Sequence, residues 1–263
     1  MPHFNLGEFK LYYEDHGQGD ALLLIAGLNC DSRIWTLVLD DLKKHYRVIF
    51  FDNRGVGQSD GIDTPLTIEI MANDAFKLLN HLRIKQASVI GHSLGGTIAQ
   101  TMAYLQPLRI QKLVICNSLV KLSRANHLLG RIMIFLRHWG FNPQTIMKRA
   151  LPLLFAKQFR KNKVQTAEIV RSFIGNRRHP QESISYKRQL EALMSFNSLE
   201  WLNQIKSSTL IIEGREDRLC PRDSKILAKH ILNSTLVSLP NVGHVPMIEQ
   251  PRTFVQVLTK FLN

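Results

Sequence analysis

The run Gly91-His92-Ser93-Leu94-Gly95-Gly96 sets a serine between glycines two positions to either side. A sharp turn crowds its central residue, and small neighbours at that spacing relieve the crowding, so the pattern suits a hydroxyl thrust into a cleft. A serine hydroxyl is a poor nucleophile until a base takes its proton, so a histidine held by a carboxylate is needed. Of the ten histidines, His244 is the best placed, in the loop PNVGHVPMIEQP after the strand-like STLVSL. His81 and His230 fall on charged, helix-like stretches and read as solvated, while His92 reads as shaping the pocket beside Ser93. For the carboxylate, the apolar TLIIE and the segment GREDRLCP that follows it offer Glu213, Glu216 and Asp217. Asp217 is preferred because it lies a few residues beyond the strand end, in a loop followed by Pro221. The order Ser93, Asp217, His244 is the one expected where a nucleophile sits on a strand-to-helix elbow.

Elements must exist to bring these three together. Residues 20–27 (DALLLIAG), 46–52 (YRVIFFD), 87–91 (ASVIG), 112–116 (KLVIC) and 209–214 (TLIIEG) are short continuous apolar runs, as strands buried on both faces would be. Between two of them, Ile68, Met71, Ala72, Ala75, Phe76, Leu79 and Leu82 keep helical spacing, with Thr67 as the expected cap. Alternating strands and helices predict an α/β fold, a mostly parallel sheet covered by helices on both faces, with ligands beyond the carboxyl ends of the strands. FNLGEFKLYYED reads as a hairpin joining the sheet's edge. The alternation stops after Ser118 and resumes near Trp201, which divides the chain into a core of residues 1–118, an inserted helical cap of residues 119–200, and a return to the core over residues 201–263.

The 263 residues are 44% hydrophobic and 21% charged, which excludes fibrous and wholly disordered chains. The formal net charge is +13. Fifteen Lys and Arg stand between Lys121 and Leu199 (121, 124, 131, 137, 148, 149, 157, 160, 161, 163, 171, 177, 178, 187, 188) against Glu168, Glu182 and Glu191, so the excess lies almost wholly in the cap. This shift marks a separate unit in a near-neutral host. Gly130, Gly140, Pro143, Pro152, Gly175 and Pro180 punctuate it, and Leu128, Leu129, Ile132, Met133, Leu136 and Trp139 keep a helical period that would pack on the core or line an acyl channel.

In GHSLGG, GREDRLCP and NVGHVPMIEQP together, the chain resembles the α/β-hydrolase fold superfamily over its whole length apart from the cap. FDNRGVGQSD also looks like a family loop, with Asp52 and Arg54 as structural partners. The resemblance implies an oxyanion held by two backbone N–H groups, those of Leu94 and Leu28. The family commonly has His-Gly before the second, where this chain has Ala26-Gly27. A serine at the elbow argues against branches that use an aspartate there. The implied activity is carboxylic ester hydrolysis through an acyl-enzyme, with strings similar to small-ester hydrolases, 3-oxoadipate enol-lactonases and the esterase acting on the methyl ester of pimeloyl-acyl carrier protein. An enol-lactone or C–C bond hydrolase, or a non-catalytic module binding a membrane or protein, stays open as the alternative.

No cofactor or metal is implied, because there is no His/Cys cluster at ligand spacing and no phosphate-binding glycine loop. The expected partner is a small-molecule or carrier-bound ester, with an acyl carrier protein docking on Arg124, Arg131, Arg137, Arg149 and Arg160. Nucleic acid is not expected, since no aromatic interleaving would stack bases. An anionic membrane surface is a further option, because HLLGRIMIFLRHW mixes basic and apolar residues on a helical period. Three cysteines at irregular spacing, no secretory leader and no membrane-length apolar run give a cytoplasmic expectation.

Overall fold

The computed structural model describes residues 3–7, 9–61, 63–172 and 179–263. Gly175, Arg177 and Arg178, read above as part of the basic cap, lie outside the described residues. Eight strands form one sheet: β1 (His3–Asn5), β2 (Lys10–His16), β3 (Ala21–Ile25), β4 (Arg47–Phe51), β5 (Ala87–His92), β6 (Ile110–Cys116), β7 (Ser208–Gly214) and β8 (Ser234–Leu239), in the order β1-β2-β4-β3-β5-β6-β7-β8. The two pairings of β2 are antiparallel, so the expected hairpin does join the sheet's edge. All other pairings are parallel.

The inner strands carry continuous apolar runs, such as Leu22–Ile25 of β3 and Leu113–Cys116 of β6, because both faces are covered. Leu23, Ile25, Val89 and Ile115 pack with α2 (Ile68–His81), α3 (Leu94–Leu105) and α9 (Asp223–His230). Their neighbours Leu22, Leu24, Ile90 and Val114 turn to the other face, against α1 (Thr36–Leu42), α10 (Pro246–Glu249) and α11 (Pro251–Leu262). Each such Leu, Ile or Val, fully withdrawn from water, contributes about 1.5–3 kcal/mol. The Thr67 side chain caps α2 by accepting the Ile70 N–H at 3.1 Å, as its sequence position predicts.

Between β6 and β7 lie α4 (Arg124–His138), α5 (Pro143–Leu154), α6 (Lys157–Lys161), α7 (Lys163–Val170) and α8 (Ser183–Ser195). Gly130 lets α4 and α8 approach closely, for a Cβ there would stand 2.8 Å from the Met194 methyl and 3.0 Å from Leu190. The charge shift suggests a separate unit, but the packing joins this region to the host. Phe155 and Phe159 belong to one core cluster, and Leu193 and Phe196 to the other. Gln189 also donates to the Arg54 carbonyl at 2.8 Å.

Candidate active site

β5 ends at His92 and α3 begins at Leu94, so Ser93 alone makes the turn, at φ 54° and ψ −118°. That conformation costs a residue with a Cβ about 1–3 kcal/mol. Its surroundings hold it there: the Ser93 N–H donates to the Cys116 carbonyl at 3.0 Å, and Ser118 Oγ donates to the Ser93 carbonyl at 2.7 Å. A Cβ on Gly91 would run into the Gly95 carbonyl, and one on Gly95 into the Ile25 carbonyl. The two glycines are therefore required by close backbone approach, as their spacing suggests.

Asp217 and His244 meet deep beside this turn, both buried, with His244 Nδ1 2.9 Å from Asp217 Oδ2. A carboxylate only accepts, so Nδ1 carries the hydrogen and leaves Nε2 as the basic edge. Asp217 Oδ1 accepts the N–H groups of Leu219 at 2.8 Å and Cys220 at 3.2 Å. Burial alone would push this carboxyl up. His244, the Asn117 amide and the Leu219 N–H outweigh it and bring the pKa down to about 2, so Asp217 is an anion at neutral pH.

Asn117 is a member of the site that sequence reading missed. It follows β6 directly, adopts φ 44°, and donates its amide to Asp217 Oδ2 at 2.7 Å and to the Gly243 carbonyl at 3.0 Å. The available signal was an Asn just past an apolar strand, a residue that tolerates the left-handed region. Glu249 was missed too. Its carboxyl oxygens accept the Gly243 N–H at 2.9 Å, the Val245 N–H at 3.3 Å and, from the far side, the Ala156 N–H at 2.8 Å. The His244 N–H completes this junction by donating to the Leu154 carbonyl at 2.7 Å.

His92 shapes the site from behind, with Nε2 donating to the His244 carbonyl at 2.8 Å. Burial, reinforced by His244, lowers its pKa to about 3, so it is neutral and cannot compete as a cation. A Cβ on Gly27 would lie 3.0 Å from His92 Nδ1 and 3.1 Å from Ser93 Cβ, which explains a glycine where the β3 loop crosses the elbow. Leu28 follows, lining the same cavity as Ser93. Leu94 is the first residue of α3, so its N–H has no partner within the helix. Support for the Ala26-Gly27 loop comes from Asn53, whose buried amide donates to the Ala26 carbonyl at 3.1 Å. Asp52 and Arg54 are structural, as expected: Asp52 accepts the Ser32 and Gln58 N–H groups, and Arg54 pairs with Asp74.

Ser93 and His244 both border a cavity of about 280 Å³. Its wall is mainly apolar, with Leu129 and Met133 from α4, Leu151 and Leu154 from α5, and Leu190 from α8. Leu128, Ile132 and Trp139 point outward instead and are 62%, 45% and 67% exposed. The cap helix thus divides between two faces the residues that sequence reading grouped as one. Among the described lining residues there is no Lys or Arg, and the one carboxylate, Asp31, is paired with Arg33 at 2.8 Å. Of the cap arginines, Arg124, Arg131 and Arg149 are exposed. Arg137 donates to the Gln181 carbonyl at 2.6 Å and covers the Tyr186 ring, while Arg160 donates to the Phe155 carbonyl at 3.0 Å, so both also serve the cap itself.

Folding also gathers the ligand-capable atoms of Asp217, Cys220 and His244 within 4.8 Å, which sequence spacing does not foretell. The hydrogen bonds to both Asp217 oxygens occupy the positions a cation would use, and burial pushes the Cys220 thiol up, away from the thiolate that metals need. The donor set is therefore poorly suited to a metal. Among the described residues no helix is long and apolar enough to cross a membrane.

Comparison with known proteins agrees with this architecture. A protein named as the carbamate hydrolase RutD of Azorhizobium caulinodans is 27% identical, over 99% of this chain and 98% of that protein. The 3-oxoadipate enol-lactonase 2 of Acinetobacter baylyi is 28% identical, over 97% and 95%. Among solved structures, a thermophilic esterase from Thermogutta terrifontis superposes with a TM-score of 0.86 at 27% identity, covering 98% of this chain and 95% of its own. The family model for the alpha/beta hydrolase fold matches residues 20–251, spanning the elbow, the acid loop and the histidine loop, and the chain belongs to that family.

Proposed function

We propose that this chain hydrolyses a carboxylic ester through a covalent acyl-enzyme, with Ser93 as nucleophile, His244 as general base and Asp217 as the group that orients it. The observation that carries this reading is the buried 2.9 Å contact between His244 Nδ1 and Asp217 Oδ2 beside the cavity that Ser93 borders. His244 Nε2 takes the Ser93 proton as Oγ attacks the carbonyl carbon, and the N–H groups of Leu94 and Leu28 hold the oxyanion. Collapse of the tetrahedral adduct breaks the bond to the alcohol, which leaves with the proton from His244. Water then attacks the acyl-enzyme, giving its proton to His244, and the acid departs as Ser93 recovers its own.

The cavity wall favours a neutral, apolar acyl group. An enol-lactone of a dicarboxylic acid retains a free carboxylate, and that anion would enter a space whose described lining supplies no cation. The test is a panel of p-nitrophenyl esters of straight-chain acids beside the same chains ending in a carboxylate. Turnover should favour the neutral series by at least about tenfold, the minimum for an unpaired buried charge. Ser93→Ala and His244→Ala should each remove nearly all of it, with losses that do not add. A fluorophosphonate should label Ser93. Wild-type turnover by Ser93→Ala, or a label on another residue, would refute the mechanism; a preference for the carboxylate series would refute only the substrate class.

A further inference from the structure

Helix α4 is built with two apolar faces, and among the described residues only one is packed against the rest of the protein. Leu129, Gly130 and Met133 turn inward to the cavity and to α8. On the opposite side Leu128, Ile132, Phe135 and Trp139, spaced four, three and four apart, fall on one stripe, since that spacing returns to nearly the same direction on a 3.6-residue turn. Their exposures are 62%, 45%, 56% and 67%, and Phe141, just past the helix, is 54% exposed. Isolated exposed apolar residues need no explanation, but a contiguous aliphatic and aromatic row marks a surface that meets something.

The charge beside the row says what that something is. Arg124 and Arg131 are exposed, and their positions on the helical wheel flank the stripe along one side. Between Lys121 and Ala167 the chain has no Asp or Glu at all, against Lys121, Arg124, Arg131, Arg137, Lys148, Arg149, Lys157, Arg160, Lys161 and Lys163. A second copy of this chain would bring the same positive field to the contact and be repelled. An acidic protein would answer the charge but leaves the aliphatic row unexplained. A bilayer with anionic headgroups answers both, with acyl chains for the stripe and phosphates for the arginines, and Trp139 suits the boundary between them. The helix runs only from Arg124 to His138, too short to span, so it would lie in the plane of the interface.

We propose that the outer face of α4 is a membrane-docking surface, which seats the protein on anionic lipid through Leu128, Ile132, Phe135 and Trp139, with Arg124 and Arg131 on headgroups. This surface stands apart from Ser93 and does not depend on how the cavity is used.

The experiment is co-sedimentation of the full chain with vesicles of phosphatidylcholine alone and of phosphatidylcholine with phosphatidylglycerol, alongside tryptophan emission. Trp35 is buried and Trp201 half-buried, so a blue shift on binding should come from Trp139 and vanish in Trp139→Phe. Binding is expected on the anionic vesicles, weakening with salt. Neutralising Arg124 and Arg131 to Gln should weaken it about fivefold each, the equivalent of about 1 kcal/mol per basic residue near the surface. Ile132→Gln with Phe135→Gln should abolish it while leaving hydrolysis of a water-soluble ester unchanged, which shows that the variant is folded. Absence of binding to anionic vesicles, or equal binding by that double variant, would overturn the proposal. So would a dimer that the double variant splits, or an acyl carrier protein that competes for this face while vesicles do not.

Discussion

Asn117 shows how one residue can hold two loops in register. Its amide joins the acid loop to the histidine loop through Asp217 and the Gly243 carbonyl, while its φ of 44° lets the chain leave β6 towards them. Asn117→Gly keeps the backbone freedom and deletes only the amide. It should cost about 1–3 kcal/mol of stability, the penalty for leaving a buried acceptor unpaired. Losing a hydrogen bond to the carboxylate must also raise the Asp217 pKa from its lowered position near 2. Because that lowered value supplies stability above the ordinary carboxylate range and loses it as pH falls towards 2, the variant should lose less stability on acidification than the wild type. Urea titrations at pH 7 and pH 3 would measure the difference. A purely structural role would lower both midpoints equally.

Between elements, the junction of α5 and α6 with the histidine loop is the contact on which the site depends. Glu249 reaches back from α10 to Gly243 and Val245 and forward to Ala156, and the Lys157 N–H donates to Glu216 at 2.8 Å just beyond. Burial raises the Glu249 pKa to about 7, against the pull of the same three N–H groups towards the anion. The folded state therefore holds a proton that the unfolded chain releases nearer 4.5. The resulting stability is present below that value and lost as pH rises through about 7. Glu249→Gln removes this titration and turns an NH₂ against one set of backbone donors. It should unfold about 1–3 kcal/mol more easily at pH 5, with a smaller gap at pH 8, where the wild type has lost its protonation term. Thermal unfolding of both proteins at the two pH values tests this, and a gap that widens at pH 8 would contradict it. Turnover should fall with KM little changed, since Glu249 holds the loop bearing His244 rather than substrate.

On the scale of the whole molecule, the basic cap and the near-neutral core differ in charge yet share their interior. Phe155 and Phe159 lie in the cluster with Trp35 and Phe254, and Leu193 and Phe196 in the cluster with Ile98 and Met102. A cap with its own core would melt by itself, but one that borrows from both host clusters cannot leave without exposing them. Calorimetry should therefore show a single cooperative transition. Two resolved transitions would show that the shared packing contributes little.

Much of this was legible in the residues themselves. Continuous apolar runs announce strands covered on both faces, Thr67 announces a helix start, and the glycines around Ser93 announce a strained elbow, because period, capping and backbone crowding are local properties. The order and spacing of the loops also singled out Asp217 and His244. Local information stops where partners are distant in the chain. Asn117 and Asp217 are 100 positions apart, Ala156 and Glu249 are 93, and nothing in either neighbourhood marks the other. The stripe on α4 makes the same point, for Leu128 and Leu129 are the same residue type side by side. One faces the cavity and its neighbour faces out, and it is tertiary packing, with α8 against Gly130 and Arg137 on the Gln181 carbonyl, that fixes the rotation of the helix that separates them.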